Sequence, residues 1–193
     1  MKIRLTLAAL LCAALLAGPA RADVSASLKK GTVQLKSAGA LAFGPDNVLF
    51  VGDSAGATIY AVGTGDTATG DRAAALNVEK INSKMADMLG TTAEKITVGD
   101  MKVNPSTGNV YMSVSRGQNA GVAILRVDKA GKITEMPLTD VPFASVLLPN
   151  ASEKQRAQSI TNMAFVDGRL YVAGLSNEEF ASTLRSIAFR FLP

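Results

Sequence analysis

Histidine and tryptophan are missing altogether from this 193-residue sequence, and its single cysteine, Cys12, lies in an apolar stretch near the N-terminus. Without histidine there is no imidazole base and no imidazole metal ligand. Long apolar runs are scarce too. Leu5 to Leu16 is the longest, about a dozen residues against the ~20 that a membrane span needs, and no later run approaches it. Charge is balanced rather than one-sided, for reasons that lie in the same N-terminal stretch.

That stretch reads as a secretory signal peptide. Lys2 and Arg4 make the positive start, Leu5 to Leu16 the apolar centre, and Ala20-Arg21-Ala22 a small-x-small cleavage site. The expected arrangement is therefore a signal peptide at 1–22 and one domain at 23–193, destined for the periplasm or for secretion. Cleavage removes Cys12, which no lipobox precedes. The mature chain then has no disulfide, no thiolate nucleophile and no Cys-bound metal. Cleavage also takes the basic residues from 20 to 17 while all 16 acidic ones stay, leaving a net charge of +1. A nucleic-acid partner would want a clustered basic face, so none is expected.

What is present is a repeat. GALAFGPDNVLFVGD at 39–53 reads as two short apolar strands around the turn Pro45-Asp46-Asn47. The phrase returns as DMKVNPSTGNVYMSV at 100–114 and NMAFVDGRLYVAG at 162–174. Phe50, Tyr111 and Tyr171 share a position, at steps of 61 and 60 residues, and self-similarity at a fixed period marks a repeated supersecondary unit. The alternation over 32–36 predicts a strand. Further strands are expected at 57–62, 121–128, 133–138 and 184–191. Residues 63–72 read as a turn-rich surface loop, with Asp66 and Asp71 short of a calcium-loop pattern. Residues 77–90 change period: Ile81, Met85, Met88 and Leu89 fall at helical spacing, and Gly90 can end the helix. Residues 140–160 read as irregular, with Phe143, Val146, Leu147 and Leu148 an apolar cluster between two prolines. Asn150-Ala151-Ser152 fits a glycosylation acceptor but carries little weight.

Four-stranded antiparallel units repeated in sequence are blades of a β-propeller, whose ring needs typically four to eight. The fold class is all-β, with about three blades in a partial ring and one inserted helix. A fourth strand is absent from the third blade, and an open ring leaves apolar blade faces available for self-association. The phrases LAFGPDNVLFVGDS (41–54), MKVNPSTGNVYMSV (101–114) and MAFVDGRLYVAG (163–174) resemble blades of the NHL-repeat and gluconolactonase-like six-bladed propellers. On that resemblance the chain corresponds to the N-terminal half of a ring. The absence of Trp separates it from propellers with a tryptophan signature.

The resemblance implies a metal on the ring axis in the lactonase-like members, held by acidic and Asn ligands. Asp53 matches the acidic position after a second strand. The Asn-Gly position before that blade reads Gly39-Ala40, and the later pairs, Gly99-Asp100 and Thr161-Asn162, also depart from the pattern. The metal and any cofactor are left unnamed by these residues. Meander geometry still selects a rim: Asp100 and Asn162 stand where a blade is entered, while Asp53, Arg116 and Asn177 stand between second and third strands. For each, a turn residue capping backbone groups is as good a reading as a ligand-binding one. Ser54, Ser113 and Ser115 have no base to make them nucleophiles.

These residues predict an exported, non-catalytic propeller that acts as a scaffold or binds a small molecule or protein partner through the rim of its central channel. A metal-dependent hydrolase of the lactonase type is the alternative, resting on Asp53. A quinone- or sugar-oxidising propeller has only the compartment in its favour.

Overall fold

The computed structural model describes residues 27–67, 75–117, 121–149, 153–176 and 182–188. The signal segment, Asn177, Asp71 and the triplet at 150–152 lie outside them.

The first hairpin builds the middle of the molecule. Leu41–Phe43 (β2) pairs with Val48–Asp53 (β3) in register Leu41 to Val51 and Phe43 to Leu49. Asp46 and Asn47 between them have φ of 55° and 58°, left-handed backbone that Asp and Asn tolerate better than most residues. Thr58–Gly63 (β4) follows as the third strand. The outer strands of this sheet come from far away in sequence. Val141–Leu147 (β9) pairs with β4, and Lys29–Gly31 (β1) pairs with β9, giving the order β1-β9-β4-β3-β2. Two expectations are corrected here. The segment after 140 is a strand, because the apolar residues of 141–147 complete the first sheet. The N-terminal strand is at 29–31 instead of 32–36, where Val33 is buried but bonds to the Leu138 carbonyl outside any ladder.

The second sheet is the expected four-strand meander: Ile96–Val103 (β5), Val110–Arg116 (β6), Val122–Val127 (β7) and Ile133–Glu135 (β8), paired in chain order. The third holds three strands, Asn162–Val166 (β10), Arg169–Leu175 (β11) and Ser182–Ala188 (β12). Its first turn is Asp167-Gly168, both at positive φ, as a two-residue hairpin loop requires. The helix Ile81–Leu89 (α1) is four residues shorter at its start than its period suggests. Lys80 sits at φ 52° there, which breaks the helical path, and Gly90 closes the other end at φ 65°.

The sheets are stacked third, first, second, with α1 last. Ala42, Phe50, Ile59 and Ala61 of the first sheet pack on Met163, Leu170 and Val172 of the third. Its opposite face, Leu41, Leu49, Val51 and Val62, packs on Tyr111 and Ile124 of the second. Met85 and Leu89 of α1 then cover Met112, Val114, Ala123, Leu125 and Val127. Every residue of β3 is buried because both faces of its sheet are covered. The inner strands β2, β5 and β10 lie side by side, as the inner strands of blades do. The fold is all-β with three antiparallel, blade-like sheets, one α-helix among the described residues and no closed barrel.

The first repeat thus lies between the other two. An open half-ring in chain order would leave the outer face of the first repeat wet. In the structure both of its faces are covered; among the described residues the wholly unpartnered sheet face belongs to the third repeat, and the second leaves Val98, Met101 and Val103 exposed beside α1.

Candidate functional site

The end of the stack where β2, β5 and β10 begin is the rim selected by the sequence. Asp53 closes β3 there and is almost fully buried. Its Oδ1 accepts the Ser37 N–H at 2.8 Å, the Ser37 hydroxyl at 2.8 Å and the Gly56 N–H at 2.9 Å, and its Oδ2 accepts the Lys36 N–H at 2.9 Å. Four donors on one carboxylate fasten residues 36–37 and the turn after β3 to the sheet. A Cβ at Gly56 would collide with that carboxylate, so the turn closes around it only with glycine at this position.

Asp100 joins two sheets. Its Oδ2 accepts the Leu41 N–H at 2.9 Å, its Oδ1 accepts the Met101 N–H at 2.7 Å, and Lys102 pairs with it at 3.0 Å. A bulge in β5 between Val98 and Asp100 turns the carboxylate toward the first sheet. Ser113 Oγ works beside it, accepting the Asp100 N–H at 2.8 Å and donating to the Gly39 carbonyl at 2.7 Å. Ser113 is therefore a bridge between the first and second sheets.

Arg116 ends β6, and its Nε is buried without a hydrogen-bond partner. Asn162 opens β10 in an exposed position, with Oδ1 accepting the Met163 N–H at 2.7 Å. Ser54, next to Asp53, donates to the Ile160 carbonyl at 3.1 Å, which brings the start of the third repeat to this same end. Among the described residues no group of three or more His, Cys, Asp or Glu side chains is gathered closely enough to hold a metal ion. Nor is any helix among them long and apolar enough to cross a membrane.

The opposite end of the joint between first and second sheets holds a cluster that local sequence reading misses. Asp66, expected in a solvated loop, is buried. Its carboxylate accepts from Thr107 Oγ1 at 2.8 Å, Asn109 Nδ2 at 3.0 Å, Asn104 Nδ2 at 3.1 Å and the Tyr111 hydroxyl at 3.1 Å. Burial first, and the Asp66 charge next, push the Tyr111 phenol up to about 12. The Tyr111 ring meets Phe43 edge-on at 5.2 Å. The only trace of this in the sequence is the run of side-chain donors in NPSTGNVY (104–111), whose acceptor lies some forty residues earlier.

No protein-family model matches the chain, and no curated protein is matched. Among solved structures, a chain described as "Streptogramin B lyase structure" is similar at 13% identity and a TM-score of 0.29. The similarity covers 82% of this chain, which spans 57% of the length of that one.

Proposed function

We propose that this chain is an exported, non-catalytic propeller-type module, of the NHL-repeat and gluconolactonase-like kind, that binds a small molecule or protein partner at its rim. The observation that carries the non-catalytic reading is the state of Asp53. The one carboxylate that matches a lactonase ligand position accepts four hydrogen bonds from its own chain. Releasing it to a cation would take a shared charged acceptor from three part-buried backbone N–H groups and the Ser37 hydroxyl. Rim binding then falls to Arg116, Asn162 and Asn177, with Asp53 and Asp100 as the groups that hold the rim together. Self-association through the open face of the third sheet accompanies this role. Export is supported by the charged start, apolar run and Ala20-Arg21-Ala22.

The purified protein, assayed on esters and lactones with and without calcium, is expected to show no metal-dependent turnover. Calcium-dependent hydrolysis abolished by Asp53→Asn would put the lactonase reading first. Mass spectrometry of the exported protein is expected to find Asp23 at the N-terminus, and an intact Met1 would reject export.

A further inference from the structure

On the outer side of the end that carries Asp53, a cavity of about 390 Å³ opens between the outer edge of the third sheet and the end of the first. Its cause is a strand deficit. In the second sheet β7 carries β8 as its outer neighbour, and in the first β4 carries β9. Among the described residues nothing pairs with the outer edge of β12, so a gap lies between it and the segment that leaves β9. Val146, Leu148 and Pro149 wall one side, Leu184 and Ile187 the other. Leu148 is held there by its N–H bond to the Ala57 carbonyl at 2.7 Å, which makes that wall rigid.

Arg185 borders the same cavity. Its Nη1 is buried and has no hydrogen-bond partner, and neither ion pair among the described residues involves it. A buried guanidinium nitrogen without a partner is costly. It marks a cation whose counter-charge is not supplied by the described chain. The cavity volume falls in the range of small-molecule sites, ~300–1,000 Å³, which combine apolar walls with a few fixed polar groups.

We infer that this cavity binds a small amphiphilic monocarboxylate, its apolar tail between Leu148 and Ile187 and its carboxylate on the Arg185 guanidinium. Arginine suits that head group because its planar fork meets a carboxylate through two N–H donors. Binding requires Arg185 to turn Nη1 toward the cavity, which a long side chain at an open strand edge can do. The site uses none of Asp53, Asp100, Arg116 and Asn162 and does not rest on the reading proposed for the rim.

Calorimetric titration of the purified protein with octanoate and with 1-octanol, its uncharged counterpart, tests this. Octanoate is expected to bind saturably at one site, and octanol at least about tenfold more weakly, since a charge-assisted bond contributes ~1.5–3 kcal/mol. Arg185→Gln should weaken octanoate by about tenfold or more and leave octanol unchanged, whereas Arg185→Lys, which keeps the charge but loses the fork, should bind octanoate with an affinity between those of wild type and Arg185→Gln. Leu184→Ser should weaken both probes, and it stands on an exposed position where folding is not at stake. Equal binding of the two probes, absence of octanoate binding, or octanoate binding untouched by Arg185→Gln would each overturn the inference.

Discussion

Without the Asp66 carboxylate, the amides of Asn104 and Asn109 and the hydroxyls of Thr107 and Tyr111 would lose their common acceptor in a buried joint. Each abandoned buried donor costs ~1–3 kcal/mol, so Asp66→Ala is expected to lower stability by about 3 kcal/mol or more. Tyr111→Phe removes one bond to a charged acceptor and should cost ~1.5–3 kcal/mol. Chemical-denaturation midpoints check both, and an Asp66→Ala midpoint equal to wild type would show that the cluster is not holding the sheets. The same cluster sets an alkaline limit. An unfolded tyrosine loses its proton near pH ~10, whereas Tyr111 in the folded chain holds it to about 12. Between those values the folded state binds more protons, so stability present below pH ~10 is lost as the pH rises. Tyr60, raised by burial and then by the Asp53 charge, acts in the same direction. Tyr111→Phe should flatten most of the slope, and an unchanged slope would assign it elsewhere. Little of this was legible from the chain, because Gly-Thr-Gly-Asp reads as solvent-facing wherever its partners lie outside the local window.

At the scale of elements, the three hairpins were legible because each carries its own pattern: alternating apolar residues, a turn of Pro-Asp-Asn, Asn-Pro-Ser-Thr-Gly-Asn or Asp-Gly, and an aromatic at one position. Their surroundings were not. Strand β9 contains Pro142 and is bounded by Pro149, so period and breakers argued against a strand. It forms because β4 offers it a ladder, some eighty residues away. The shared aromatics show the same division. Phe50 stacks on Phe165 at 5.6 Å and Tyr111 fills the next joint, whereas Tyr171 points from β11 to the uncovered side of the third sheet and is only half-buried. Phe50→Ala is therefore expected to cost ~3–5 kcal/mol, and Tyr171→Ala about 1 kcal/mol or less. Equal losses in urea titrations would mean that Tyr171 is covered in solution.

The whole molecule is a stack with unlike ends. At one end α1 covers part of the second sheet through Met85 and Leu89, while Val98, Met101 and Val103 of β5 stay exposed on the same face. At the other, Leu184 is 71% exposed and Val166 50% exposed on a face that also carries Ala164 and Tyr171. An apolar face of that kind favours association. Sedimentation at rising concentration should detect it, and Leu184→Lys should shift the protein to monomer. A wild-type monomer at all concentrations would show that the face is tolerated by water. The rim was partly legible as a whole. Strand order places Asp53, Asp100 and Asn162 at one end, but their roles depend on which backbone groups the stacking brings to them.

The end that carries α1 decides what kind of assembly the open end can make. In Phe50 and Tyr111 the repeats carry an arrow, each aromatic aimed at the sheet before it in the stack, and Tyr171 points the same way into the open. Stacked units with an arrow would ordinarily add head to tail without limit, as a fibre does. Here α1 stands on the middle of a neighbour's tail, so an exposed head matches another head better than it matches a tail. That contact is its own mirror in sequence, uses up both heads at once, and stops at two chains.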